Sequence, residues 1–475
     1  MNRKIIYVII LSAVLSGAAV MMFGCARQDG ISTGRERKAV SVSKEPEDDG
    51  GEAVLPTNTP DDGEFGFQPG EPPADVPKDW NRPEGDGRER PEERQGGNRP
   101  EMPEGGKMPE FPQPFSDGRG GDVTYTPLIF DREGLFSDRD MEAQPDISEA
   151  TYIRAKESEI YTIDAAGIYV LSGEAKDFSV MVDAAPKDKV QIVLEGARIQ
   201  NSDFPVIYAK EADKCFITLS GDNELAVSGT FRSDGEVNTD AVIFARCDLT
   251  LNGDGNLTVR SDCGNGITSK DDLRITGGAF TVVSGNHGIE ANDSVSIADG
   301  TFTIDAGKDG IHCANDEQEG FIYLAGGIFR IDAVSDGIQA TSYLVADGGE
   351  YRITASEGLE ATYVQVNGGS ISLQASDDGV NAASKSREYD VVIEINGGEL
   401  TIVMGPGDTD GLDANGLIAV NGGTIDVKGG STFDYDRGAV YTGGTIIVNG
   451  ETVDTIPEPT MGGGGGRGQG RVRPR

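Results

Sequence analysis

The chain has 475 residues, with 80 acidic side chains against 41 basic ones, a formal net charge of −39 and a hydrophobic fraction of 37%. A surface this acidic repels nucleic acid and anionic lipid headgroups, which excludes them as partners, and it attracts divalent cations. The 67 glycines suit many short strands joined by tight turns, and no stretch carries a helical period of convincing length.

Residues 1–25 carry Arg3 and Lys4, an apolar run over 5–23 and then Gly24-Cys25. This is the layout of an export signal and is similar to a bacterial lipoprotein signal, with Cys25 as the lipid acceptor. An uncleaved membrane anchor is the alternative, because the run is nearly long enough to span. Either reading places the rest of the chain outside the membrane, at the cell surface, with membrane contact only through the N-terminal anchor. Residues 26–121 are rich in Pro, Gly, Glu, Asp and Arg, as in Arg82-Pro83-Glu84-Gly85, and are predicted to be a disordered tether. Residues 122–456 form the predicted folded domain. Residues 457–475 include five consecutive glycines and a basic end, the composition of a solvated tail.

Within the folded part, strands are predicted from about Tyr161 onward, as in Val190-Gln191-Ile192-Val193-Leu194. From residue 265 one unit returns: a polar residue, Gly, an aliphatic, a polar and a small residue, two alternating apolar positions, Gly-Gly, and three more. Its starts are Asn265-Gly266, His287-Gly288, Asp309-Gly310, Asp336-Gly337, Glu357-Gly358, Asp378-Gly379, Asp410-Gly411 and Arg437-Gly438, spaced by 22, 22, 27, 21, 21, 32 and 27 residues. A near-constant period of this length predicts a solenoid, in which each coil buries its apolar face only against its neighbours. Period-two alternation places Leu273, Val295, Ile322, Leu344, Val364 and Ile393 inside, with Phe280, Phe302, Phe329 and Tyr351 as an internal aromatic stack. Cys313 shares the small-residue column with Ser269, Ala291 and Ala340 and reads as a buried apolar residue. With His287 and His312 the only histidines and no Cys-x-x-Cys spacing, a zinc site is not expected.

The stretches Asp240-Ala241-Val242-Ile243-Phe244-Ala245, Asp248-Leu249-Thr250-Leu251-Asn252-Gly253 and Asn265-Gly266-Ile267-Thr268-Ser269-Lys270-Asp271-Asp272 resemble a bacterial family of secreted β-helix proteins described as carbohydrate-binding domain-containing. The stretch Gly167-Ile168-Tyr169-Val170-Leu171-Ser172-Gly173 fits the same pattern, and the likeness covers roughly residues 150 to 450. The first Ser-Lys-Asp-Asp-like segment departs from it, reading Ala245-Arg246-Cys247-Asp248. The resemblance implies an all-β fold, a right-handed parallel β-helix shaped like a pectate lyase. It also implies calcium between coils and binding of cellulose or polygalacturonate without established catalysis.

Stacked coils stand ~4.8 Å apart, so equivalent side chains on adjacent rungs can share one ion. The pre-Gly column offers Asp309, Asp336, Glu357, Asp378 and Asp410, and the column two residues after Gly adds Glu290, His312, Gln339, Glu360, Asn381 and Asp413. Unneutralised, such carboxylates repel, and calcium, which takes six to eight oxygens, relieves them. A plain preference of Asp for the turn before Gly is the competing explanation. Lys270-Asp271-Asp272 is a second cluster: Asp271 and Asp272 as calcium ligands, and Lys270 as an ion-pair partner or the base of a lyase. Phe321, Tyr343 and Tyr363 occupy one outward column on successive coils and suit sugar ring faces, or brace the sheet. The expectation is a calcium-stabilised, lipid-anchored polysaccharide binder that does not cleave its ligand. A calcium-dependent polysaccharide lyase and a structural surface adhesin are the alternatives.

Overall fold

Aliphatic residues alternating with polar ones, cut at short intervals by glycine pairs, give three strands per coil. In the coil that opens at Asn265 these are Asn265–Ser269, Asp272–Ile275 and Ala279–Ser284. The computed structural model describes residues 124–406 and 409–459. The signal, Cys25, the tether and residues 460–475 of the tail lie outside the described residues. The first strands of the coils make a 12-stranded parallel sheet, here the first face. The second and third strands make two further faces, each strand pairing with its equivalents one rung before and after. These two faces join through the long strands Gly167–Lys176 and Lys189–Asn201, which run through both. The result is a parallel β-solenoid of about 12 turns, roughly 24 residues apart. Strand pairing begins at Thr151–Arg154, ahead of the predicted start near Tyr161. At the other end Glu451–Val453 pairs antiparallel with Thr445–Val448 and closes the last rung.

The interior is as the alternation predicts. Leu273, Val295, Ile322, Leu344, Val364 and Ile393 are fully buried, and Cys313 lies buried in register with Ala291 and Ala340. Phe280, Phe302, Phe329 and Tyr351 stack at 5.2, 4.7 and 4.7 Å with nearly parallel rings.

The glycine column has a different cause from the one expected. The second glycine of the Gly-Gly pair that follows the second strand does take positive φ, between 77° and 108° at Gly278, Gly327, Gly349, Gly369, Gly398 and Gly423. The glycines after the ladder acids, Gly310, Gly337, Gly358, Gly379 and Gly411, do not. A Cβ on Gly337 would stand 2.3 Å from Ile353 Cγ2 and 2.6 Å from the Gly358 carbonyl, and one on Gly310 would meet Ile331 at 2.4 Å and the Gly337 carbonyl at 2.6 Å. Glycine there lets the third face pack against the first, and Asp336, Asp378 and Asp410 open strands and do not sit in turns. Gly438 falls out of this column. It pairs with Leu417 on the second face, and the equivalent rung on the first face is Ser431–Tyr435. Gly337→Ala should therefore destabilise the domain by about 1–3 kcal/mol through overpacking, read as a lower denaturation midpoint. Gly196→Ala, where no atom lies within 4 Å of the new methyl but φ is positive, separates crowding from backbone strain.

Residues 125–144 form a strap along the outside of the second face. Tyr125 Oη donates to Glu394 at 2.9 Å and accepts from Asn421 at 2.7 Å, near the C-terminal rungs. Leu128 is held by Tyr363 Oη and Gln365, and Arg132 pairs with Asp347 through two nitrogens at 2.5 and 2.7 Å. Further along, Asp140 meets Lys214 and Thr250, and Arg139 meets Gln191, near the N-terminal rungs. This cover is why strands such as Val392–Ile395 and Leu417–Val420 are buried on both faces.

Candidate functional site

On the outside of the first face the pre-Gly residue and the residue two after Gly stand side by side, because the intervening Gly and aliphatic both turn inward. The predicted registers hold: Glu290, His312, Gln339, Glu360, Asn381 and Asp413 follow one another rung by rung, as do Asp336 with Glu357 and Asp378 with Asp410. The structure thus gathers the ladder into two neighbouring columns.

Its middle is short of positive charge. Carboxylate oxygens of Asp336, Glu357 and Glu360 lie within 4.8 Å of one another. Gln339 Nε2 bridges Asp336 and Glu360, and Lys385 Nζ reaches Glu360 at 2.8 Å. Burial first, and then the neighbouring carboxylates, push Asp336 and Glu357 up to about 7. Two rungs on, burial and the charge of Asp413 push Asp378 up to about 7, while burial and Asp434 push Asp413 up to about 6. Asn381 lies on the strand of Asp378, one rung from Asp413. Its Nδ2 donates to Glu357 at 2.9 Å, while its buried Oδ1 has no hydrogen-bond partner among the described residues. An all-oxygen donor set, crowded carboxylates and an orphaned amide oxygen fit a hard divalent cation.

At the N-terminal end of the ladder the carboxylates have close partners of their own. Asp309 Oδ2 lies 3.1 Å from His287 Nδ1 and 2.9 Å from His312 Nδ1. Burial raises the Asp309 carboxyl, but the two imidazoles outweigh it and hold it well below the usual range. Glu290 Oε2 accepts from Asn265, Thr268 and Lys270. Lys270 does not sit with Asp271 and Asp272: its Nζ lies 3.5 Å from Asp240 and 3.3 Å from Glu290. Adjacent side chains at the coil corner diverge, so Asp271 and Asp272 gather instead with Asp248, where Arg274 bridges Asp248 and Asp272 at 3.1 and 2.9 Å. That arginine already supplies much of the charge a metal would bring.

The aromatic column is divided. Phe321 and Tyr343 stack at 4.9 Å and open onto a cleft of about 620 Å³ between the first and second faces. Tyr389 packs edge-on against Tyr343 at 5.1 Å, and Glu317, Glu319 and Glu388 rim the opening. Tyr363 points away from the coil but not into solvent. It is 2% exposed beneath the strap, accepting from Leu128 N and donating to Glu394. Phe130 of the strap also touches Phe321 and Tyr343, which keep only part of their surface. The cleft walls are loops 314–320 and 383–391, inserted where the repeat spacing lengthens to 27 and 32. Those spacings were the signal for Tyr389, which the column pattern missed.

Among known proteins, a carbohydrate-binding domain-containing protein of Acetivibrio thermocellus is 35% identical over 124 residues, 25% of this chain. The chain spans 43% of the length of that relative. A solved polysaccharide lyase-like protein from C. thermocellum, studied as a gadolinium derivative, is 23% identical, with 62% of this chain and 98% of that chain covered and a TM-score of 0.36. The model of the family described as carbohydrate-binding domain-containing protein matches residues 157–434, which span the acid ladder and the aromatic cleft, and the chain belongs to that family.

Proposed function

We propose that this protein binds polysaccharide at the cell surface without cleaving it, tethered through Cys25 and stabilised by calcium on the ladder. The observation that carries the reading is the open cleft where Phe321, Tyr343 and Tyr389 stand beside the carboxylates of Glu317, Glu319 and Glu388. Aromatic faces suit the C–H faces of pyranose rings. The acidic rim repels uronates unless calcium bridges them, so neutral β-glucan docks directly and polygalacturonate only with calcium. Lys270 Nζ lies 3.5 Å from Asp240 and 3.3 Å from Glu290, which supports an ion-pair role over that of a base.

Binding of full-length protein to insoluble cellulose and to polygalacturonate tests this. Phe321→Ala with Tyr343→Ala should weaken cellulose binding roughly tenfold or more and leave the fold intact, whereas Tyr363→Ala loosens the strap. Chelator should abolish retention of polygalacturonate and spare that of cellulose. Unchanged cellulose binding in the double variant refutes the cleft as the platform. Sustained growth of ultraviolet absorbance from unsaturated product, lost in Lys270→Ala, would make the protein a lyase.

A further inference from the structure

Two rungs of the first face depart from the carboxylate pattern and carry the chain's two imidazoles. His287 and His312 stack at 4.3 Å and 24°. One oxygen of Asp309 backs the Nδ1 edge of both rings. Lys308 Nζ stands 3.2 Å from His287 Nε2. An ammonium only donates, so Nε2 is the acceptor and the proton of the neutral ring sits on Nδ1. That tautomer, fixed by a carboxylate behind the ring, is the one a metal-ligating histidine adopts. His287 is 4% exposed, and Asp309 Oδ2 is the polar atom that the described residues provide to both Nδ1 atoms, near in distance though off the ideal hydrogen-bond direction. One nitrogen of each ring and a carboxylate oxygen of Glu290 lie within 4.8 Å of one another.

We propose that His287, His312 and Glu290 bind a borderline divalent transition ion of the zinc class, with Asp309 orienting both rings from behind. Two imidazoles and one carboxylate suit zinc, whereas calcium takes oxygen, so this site is chemically separate from the all-oxygen ladder. Ligand atoms about 2.0–2.2 Å from one ion stand roughly 3.4 Å apart, so the set closes when the two stacked rings tilt toward the ion as the ligand atoms draw together. The three contacts of Glu290 all fall on Oε2, which leaves Oε1 for the ion. Lys308 and Lys270 hold the neutralising positions and swing aside on binding; Lys308 is exposed and has room to do so. Three protein ligands leave a fourth position open to water or to an oxygen of a bound glycan.

The test adds zinc to tag-free, full-length protein saturated with calcium. One equivalent should bind, and zinc K-edge absorption should show imidazole scattering, which in a chain with 2 histidines comes only from His287 and His312. Zinc displaced by excess calcium, or ligated by oxygen alone, overturns the proposal without any variant. His287→Gln with His312→Gln should abolish zinc retention while calcium still raises the melting temperature. Asp309→Asn should weaken zinc about 10- to 100-fold, and Lys308→Met should tighten it. Zinc affinity unchanged across all three variants also overturns the proposal.

Discussion

In chelator, the melting temperature should fall as pH rises from about 5 to about 8, the reverse of the usual acid sensitivity, and calcium should remove most of that fall. Asp336, Glu357 and Asp378 are pushed up to about 7 and Asp413 to about 6, by burial first and neighbouring carboxylates second. Unfolded, these groups lose their protons near 4. Between those values the folded chain holds more protons than the unfolded one, so unfolding free energy declines with pH. The stability is fully present below about pH 4 and is lost as pH rises through about 7. One group raised by about three units corresponds to roughly 4 kcal/mol, and the mutual repulsion of the cluster is shared among its members. An ion that binds only the folded state opposes this by mass action and holds the carboxylates ionised. The measurement is thermal unfolding on a pH series with calcium and with chelator. Curves that coincide would remove calcium from the ladder, and Asp378→Asn with Asp413→Asn should flatten the chelator curve if the repulsion is as placed.

The solenoid was legible because its cause is periodic. Leu273 and its equivalents must all face inward for any one coil to be stable, so the alternation repeats on every rung. The ladder was legible for the same reason, since residues aligned on one glycine fall into one column. What the repeat could not show is what lies across it. The strap comes from residues 125–144, which carry no repeat, and its contact with Tyr363 spans 235 positions of sequence. Period-two reasoning correctly turned Tyr363 out of the coil but could not say what covers it. Lys270 failed in the same way: its partners Asp240 and Glu290 lie on neighbouring rungs, and chain adjacency to Asp271 and Asp272 was the wrong guide. The glycine column was visible as a motif, yet its reason lies in Ile331 and Ile353 of the third face, which only packing brings near.

Asp140→Ala should be the most damaging single change in the strap, costing about 3–5 kcal/mol. Asp140 is 2% exposed and lies 2.7 Å from Lys214 Nζ, which is itself buried beneath the strap. Thr250 and the backbone and hydroxyl of Ser137 complete its shell at 2.6 to 2.8 Å. Burial raises the carboxyl, but Lys214, Ser137 and Thr250 together lower it to about 2. A folded value below the unfolded one means that this pair stabilises above about pH 4 and fails as pH falls toward 2. Removing the carboxylate strands a buried ammonium, which costs more than the pair itself contributes. Replacing both partners with apolar residues, Asp140→Leu with Lys214→Met, should therefore recover much of the loss. Unfolding free energies and limited proteolysis of residues 125–144 read the effect. The single variant should be cut in the strap first, with the coils still protected, while the parent and double variant resist. Asp140→Ala melting within about 0.5 kcal/mol of the parent, the range of an ordinary surface substitution, would mean that the pair does not anchor the strap.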